Sequence, residues 1–328
     1  MSKHNSLRVV ITGASSGIGA ATAEAFAERG ARLVLASRNP AALEEVAGRC
    51  RVSGAKVLVV ATDVTDATQT QKLAARAREW LGEIDLWFSN VGIGVVGRFT
   101  EVPIEDHRQV IESNLIGHLN DAHAVMPIFL AQERGIFVNM ISVGGFVPAP
   151  WAVAYSASKF GLRGMAEALR GEVAGYKDIH ICDVYPTFVD TPAIRHAGNY
   201  TGGKTSVPPN VLDPRTVARA IVRLADHPRK TTAIGAPAAF MRLAERTAPV
   251  FGSAAMNAFM TRYFAKAEPV PVTDGNLFAP PADDGAIDGG FRPPNQRNNA
   301  TVLAGVAGVA GLAVAGVLLA RARGRKER

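Results

Sequence analysis

The sequence predicts an α/β fold, a doubly wound parallel sheet of seven strands with helices on both faces, and two observations carry that expectation. From residue 7 to about 235, short β-branched runs alternate with longer Ala-rich amphipathic stretches, the pattern of repeated βα units around a parallel sheet. A glycine-rich turn, Thr12-Gly-Ala-Ser-Ser-Gly-Ile-Gly19, stands between the first strand-like run and the first helical one. In that setting small residues let the backbone approach a phosphate, and the helix N-terminus offers it unpaired N–H groups. Strands are expected at 7–12, 31–36, 55–61, 84–88, 135–141, 178–184 and 230–235. Helices are expected between them, at about 17–29, 40–50, 66–81, 103–133, 154–176 and 212–226.

Beyond the alternating region the composition changes three times. Residues 236–268 carry Phe240, Met241, Leu243, Phe251, Met256, Phe259, Met260 and Phe264 at mixed helical spacing, which reads as a helical extension with a packing face or a lid over an apolar substrate. Residues 269–300 are rich in Pro, Gly, Asp and Asn, an irregular linker or a surface-wrapping extension. Residues 301–320 are uncharged and made almost wholly of Ala, Val, Leu and Gly, long enough to span a bilayer as a candidate membrane helix, with a small-residue face at Ala307, Gly311 and Ala315. An Arg-rich end on the far side would oppose the positive-inside bias, whereas interfacial insertion with residues 321–328 on anionic headgroups would not.

Composition excludes several classes. With 48% hydrophobic residues in 328, wholesale disorder is out. The net charge of +7 resides mostly in the tail: residues 321–328 hold five positive and one negative side chain, so the rest carries only +3. No basic stripe with interleaved aromatics appears in the body, which argues against nucleic acid. Cys50 and Cys182 show no Cys-x-x-Cys spacing and no His cluster accompanies them, so a reducing compartment and no metal are expected. The opening Met-Ser-Lys-His-Asn-Ser has no apolar signal-like run, so a cytoplasmic catalytic domain, associated with membrane through the C-terminal segment, is the expectation.

Tyr155 and Lys159 in Tyr155-Ser-Ala-Ser-Lys159 occupy one helix face, so the ammonium can favour ionisation of the phenol. At the end of the second strand the chain reads Ser37-Arg38, where a carboxylate would bind the ribose hydroxyls of NAD. A hydroxyl and a guanidinium suit a 2′-phosphate, so NADP(H) is preferred over NAD(H). Asp63-Val64 closes the third strand where a carboxylate can accept from an adenine amino group or cap the next helix.

Together these motifs resemble the short-chain dehydrogenase/reductase family in its single-domain form, over about Leu7 to Gly235. The glycine loop matches its cofactor loop, and Ser89-Asn90-Val91-Gly92 its Asn-Asn-Ala-Gly element. Asn114 matches the helix asparagine of its tetrad, Ser142 stands thirteen residues before Tyr155 as its serine does, and Tyr185-Pro186-Thr187 matches its Pro-Gly segment. Ser89, Val91 and Ile141 depart from the family pattern without removing a reacting group.

The resemblance implies a Rossmann-type dehydrogenase domain over 1–235, with Asn114, Ser142, Tyr155 and Lys159 as the catalytic set. Ser142 would hold the substrate oxygen, Tyr155 exchange its proton, Lys159 lower the tyrosine pKa and hold the nicotinamide ribose, and Asn114 support a water leading to solvent. The implied cofactor contacts are Thr12, Gly13, Ser15, Ser16, Gly17, Ile18, Gly19, Ser37, Arg38, Asp63, Val64, Asn90, Gly92, Tyr155, Lys159, Pro186, Thr187 and Val189.

His118, His123, His180 and His196 lack ligand spacing and read as structural or solvated. Residues 187–210 are expected to cover the substrate as a mobile lid, over a pocket made apolar by Phe146, Val147, Trp151, Phe188 and Val189, with Arg195 and His196 as polar exceptions. That favours a lipophilic carbonyl or alcohol partner and reduction as the direction. A homo-oligomer through the 103–133 and 154–176 helices follows from the resemblance. The alternative reading is an NADP(H)-binding regulator or membrane-associated scaffold without turnover.

Overall fold

The fold was obtained as a computed structural model that describes residues 6–207, 211–235, 257–258, 260–281 and 285–292. The first half-sheet runs β1 (Arg8–Thr12), α1 (Gly17–Ala27), β2 (Arg32–Ser37), α2 (Pro40–Val52), β3 (Lys56–Ala61), α3 (Ala67–Leu81) and β4 (Leu86–Ser89). It continues through β5 (Val95–Val96), α4 (Ile104–Ile111), a π-turn (Glu112–Ile116), α5 (Gly117–Gln132), β6 (Arg134–Met140) and α6 (Val153–Glu172). The last elements are β7 (Asp178–Pro186), α7 (Ala193–His196), β8 (Gly198–Asn199), α8 (Pro214–Leu224) and β9 (Thr231–Ile234).

Seven strands form one sheet in the order β3-β2-β1-β4-β6-β7-β9, every pair parallel. The seven expected strands are these seven. Parallel strands covered on both faces bury consecutive residues, and Val9, Val10 and Ile11 are all fully buried. Alternation sends Val9, Ile11, Leu33 and Leu35 into one core with Phe26 of α1, Leu43 of α2 and Ile221 of α8. Val10, Val34, Trp87 and Phe137 go to the opposite core with Leu73 of α3 and Phe129 of α5.

Local chemistry starts the helices where the sheet needs them. Asn39 caps α2 by accepting from Ala42 N–H, Asp66 caps α3 from Thr68 and Gln69, and Asp213 caps α8 from Arg215, with Pro at the first helical position of α2 and α8. Strand order reverses between β1's neighbours β2 and β4, opening a crevice at the carboxyl ends of the strands, the usual ligand position in such sheets.

Beneath that crevice Asp121 of α5, fully buried, accepts from Thr12 Oγ1 (2.6 Å) and Ser89 Oγ (2.7 Å) and so joins β1, β4 and α5. Burial raises its carboxyl from 3.8 to about 6 against those two hydroxyl bonds.

The expected helix 103–133 is interrupted by the π-turn, which carries Asn114. β5 and β8 pair in parallel, Val95 with Gly198 and Val96 with Asn199, and were not expected because two residues carry no periodicity. Of the extension expected at 236–268, residues 257–258 and 260–264 are helical in the part described. The candidate membrane helix 301–320 and the basic tail lie outside the described residues, among which no helix is long and apolar enough to cross a membrane.

The raised Asp121 carboxyl fixes a sign. Between about pH 4 and 6 the unfolded chain has released this proton while the folded chain still holds it, so stability from this group falls as pH rises through about 6. Asp121→Asn therefore gains stability relative to wild type as pH climbs through that window, by roughly 3 kcal/mol at most. Urea unfolding at a series of pH values measures it, and a difference independent of pH contradicts the assignment.

Candidate functional site

The crevice floor is a turn that only glycine permits at two points. Gly13 sits at φ +65°, and a Cβ on Gly19 would lie 2.0 Å from the Gly13 carbonyl oxygen. That same oxygen accepts from Asn90 Nδ2 at 3.0 Å, locking the end of β4 to the turn after β1. Ser16 enters α1 in extended conformation and its side chain caps nothing, while the Gly17 N–H donates to the carbonyl of Ala286 at 2.9 Å. A backbone cradle of this kind, where any side chain would collide, fits a dinucleotide pyrophosphate.

The other expected cofactor contacts fall around it. Thr12 lies in the turn, but its hydroxyl is committed to Asp121 beneath. Ser37 is nearly buried at the end of β2, and its hydroxyl accepts from Asn39 N at 3.3 Å. Arg38 donates to the carbonyl of Asn276 at 3.1 Å. Asp63 accepts from Thr65 N and Oγ1 at 3.0 and 2.8 Å, a turn of its own, while Asp66 caps the next helix. Val64 packs against Gly117. Gly92 lies beside the catalytic set: a Cβ there would be 3.8 Å from Lys159 Nζ and 4.0 Å from Asn114 Oδ1. After β7, Thr187 N–H donates to Ile234 O, and Val189 is buried and bridges to Leu212.

Ser142, Tyr155, Lys159 and Asn114 converge at the carboxyl end of β6. Ser142 follows Met140 and Ile141 with φ 146° and ψ 162°, a backbone region that is essentially glycine's. Its Oγ accepts from Gly144 N–H at 3.1 Å. Lys159, 3% exposed, donates to Met140 O at 3.2 Å and lies 5.6 Å from the centre of the Tyr155 ring. Asn114 accepts from Ile93 N–H (2.8 Å) and donates to Ile93 O (2.9 Å) and Ser158 Oγ (3.3 Å), and Ser158 Oγ donates to Tyr155 O (2.7 Å). The π-turn therefore aims Asn114 at the loop after β4 and at the first turn of α6 together.

Electrostatics here differ from the expectation that Lys159 depresses the tyrosine. Burial pushes Tyr155 above the ordinary phenol value, with Ser142 opposing, and burial lowers Lys159 to about 7. Desolvation disfavours the charged form of each group and is the largest cause of both shifts. His118 is also fully buried, between Asn139 Oδ1 (2.7 Å) and Val91 O (2.8 Å), and burial lowers it to about 4, a structural histidine as expected.

The expected apolar pocket is only partly assembled. Phe146 is buried and stacks on Tyr185 at 4.2 Å, making it core rather than lining. Trp151 stacks on Phe264 at 5.2 Å and donates to Asn257 Oδ1 at 2.9 Å, and Phe188 is exposed. Two contributors escaped the sequence. Thr191 packs onto Gly17, placing its side chain at the cradle. Residues 269–281 and 285–292 run along the crevice; their Pro/Gly-rich composition signalled only a surface wrap.

The short chain dehydrogenase family pattern matches residues 8–199. An uncharacterised oxidoreductase of Listeria innocua is 37% identical over 184 residues, 56% of this chain and 74% of its own. One of Bacillus subtilis is 31% identical over 70% of this chain and 65% of its own. Among solved structures, an alcohol dehydrogenase from Thermococcus sibiricus, complexed with 5-hydroxy-NADP, is similar with TM-score 0.62 and 25% identity, covering 70% of this chain and 96% of that one. A short chain dehydrogenase/reductase from Burkholderia phymatum in complex with NAD gives 0.67 and 26%, covering 83% and 100%.

The Ser142 backbone yields a prediction independent of ligand. Ser142→Gly relieves the φ 146° conformation, of order 1–3 kcal/mol, and loses one hydrogen bond, about 1 kcal/mol. Urea unfolding is expected to show the variant about 1 kcal/mol more stable than wild type; a loss of stability means that the serine conformation is not strained.

Proposed function

This chain belongs to the short chain dehydrogenase family, an oxidoreductase acting on alcohol or carbonyl groups, and we propose that it reduces lipophilic carbonyls with NADP(H), using Tyr155 as the proton donor. The observation that carries the reading is the meeting of Ser142, Tyr155 and Lys159 at the end of β6, beside the glycine cradle.

The cofactor, when bound, supplies or takes the hydride. The chain's own groups handle the oxygen. Ser142 Oγ hydrogen-bonds the substrate oxygen, and Tyr155 Oη gives it a proton. A phenol kept protonated by burial suits donation, which favours reduction over oxidation. Lys159 beneath the ring steadies the negative charge left on the phenol oxygen and, close to neutrality, can return a proton to it. Asn114 holds Ile93 and the first turn of α6 in register, positioning Tyr155 and Lys159.

The solved neighbours carry an NADP derivative in one case and NAD in the other, so the choice rests on Ser37 and Arg38, where no carboxylate stands against a 2′-phosphate. A lipophilic substrate is supported by the exposed Phe188 and the half-buried Val147 and Trp151, apolar side chains not enclosed in the core. Attachment to a lipid surface through residues 301–320 rests on their uncharged sequence. Fractionation of the full chain and of a version ending before Thr301 tests it: both remaining in the supernatant at ordinary salt sinks the idea.

Two outcomes test the chemistry. With NADPH and a panel of lipophilic ketones and aldehydes, Tyr155→Phe should lower kcat by about 10²–10⁴-fold while NADPH still binds; undiminished turnover contradicts the role. Reduction by the wild type should also slow as pH rises past about 7, because Lys159 sheds its proton there and no longer steadies the developing phenolate. A flat profile to pH 9 contradicts that assignment.

A further inference from the structure

The C-terminal extension crosses the crevice from one end to the other. It pairs first with residues 202–204, Val270 N–H donating to Gly202 O at 3.0 Å, and then with β8, where Asn199 and Thr273 exchange backbone hydrogen bonds of 2.7 and 3.1 Å. Leu277 is then fully buried in the apolar cluster of Ile93, Val95, Val110 and Ala154, against which Tyr155 packs. One residue earlier the carbonyl of Asn276 accepts from Arg38. Further on, Pro281 O accepts from Asn39 Nδ2 at 3.1 Å, and Ala286 O accepts from Gly17 N–H at 2.9 Å. The segment thus touches the catalytic end, the end of β2 and the start of α1, the three places that the proposed function gives to the dinucleotide.

Its far end is held by a charge cluster. Arg292, 6% exposed, is within 3.0–3.1 Å of Asp190, Asp213 and Asp288, and Asp288 also pairs with Arg215 at 3.0 Å. Asp190 additionally accepts from Phe291 N–H at 2.8 Å and precedes Thr191, which lies on Gly17. Removing the guanidinium leaves the buried Asp190 carboxylate without its charge partner, whereas the half-buried Asp213 and Asp288 keep Arg215. The latch therefore ties the extension to the loop that covers the glycine cradle.

One side-chain acceptor in the segment is left without a partner. Asn276 Oδ1 is buried and has no hydrogen-bond partner among the described residues, although the same residue's N–H donates to His196 O (2.8 Å) and its carbonyl accepts from Arg38. A buried unpaired acceptor costs about 1–3 kcal/mol unless a donor meets it. Asn276 lies between Arg38 and the Leu277–Tyr155 cluster, along the stretch where ribose hydroxyls would supply such donors.

We propose that residues 269–281 and 285–292 act as a strap that closes over the dinucleotide, adds the Asn276 side chain to its contacts, and sets the rate of its release. The proposal rests on the cofactor reading above. Lifting the strap requires the Arg292 latch to open, so cofactor exchange is governed by a segment outside the family-matching region 8–199.

The test uses the full chain, NADPH as the probe and its fluorescence as the readout, with release followed by chasing bound NADPH with excess NADP⁺ in stopped flow. Arg292→Leu is expected to speed release about tenfold or more, the equivalent of one or two lost hydrogen bonds. Asn276→Ala is expected to speed it by a similar factor without a fall in melting temperature, which keeps the test meaningful if the Arg292 variant folds poorly. Hydrogen exchange at residues 276–291 should slow when NADPH binds. Release rates unchanged in both variants, or tighter NADPH binding once the strap is loosened, overturn the proposal; the second result would make the strap a competitor for Gly17 and Arg38. If NADPH binds neither wild type nor variant, the cofactor reading fails and the strap with it, a result distinct from binding with unaltered release.

Discussion

The structure depends on one close approach: the Gly13 carbonyl oxygen with Gly19 packed against it and Asn90 donating to it. That contact fixes the end of β1, the start of α1 and the end of β4 relative to each other at the point where strand order reverses. The Thr12–Asp121–Ser89 cluster secures the same strands one layer below. With that corner set, β6 beside β4 delivers Ser142, and α6 returns Tyr155 and Lys159 over the same edge. A larger side chain at residue 19 would shift the corner, and the distance from the cradle to Tyr155 with it.

Burial, rather than a charge pair, sets the protonation of the centre. Lys159 and Tyr155 are both driven toward neutrality because water is excluded from them. In the proposed reduction this is useful: the donor stays protonated until an oxygen that needs the proton arrives, and the lysine is poised near neutral pH to restore it. Leu277, fully buried next to this centre, extends the same dry environment to the C-terminal segment. Dehydrogenase chemistry and a closing strap thus share one requirement, the exclusion of solvent.

Much of this was legible in the sequence because it is repetitive or local. Seven strands declare themselves by β-branched runs, and Gly13, Asn90, Asn114, Ser142, Tyr155 and Lys159 by ordered spacing. What escaped depends on distant residues meeting. The two-residue strands β5 and β8 have no period and exist only because each finds the other. Phe146 looked like pocket lining from its position after Ser142, yet Tyr185 offers it a stacking partner in the core. The Lys159 effect on Tyr155 was inferred from helix spacing, which carries charge proximity but not desolvation. Thr191, Asn276 and Arg292 carry no local signal at all: their significance lies in Gly17, Arg38 and Asp190, each more than a hundred residues away.

The central claim, a dinucleotide with a 2′-phosphate held between the glycine cradle and Arg38, is tested most directly by calorimetric titration of the full chain with NADPH and with NADH under identical salt. One charge-assisted contact from Arg38 is of order 1.5–3 kcal/mol, so NADPH should bind at least about tenfold more tightly. Equal affinities, or tighter binding of NADH, would contradict the account.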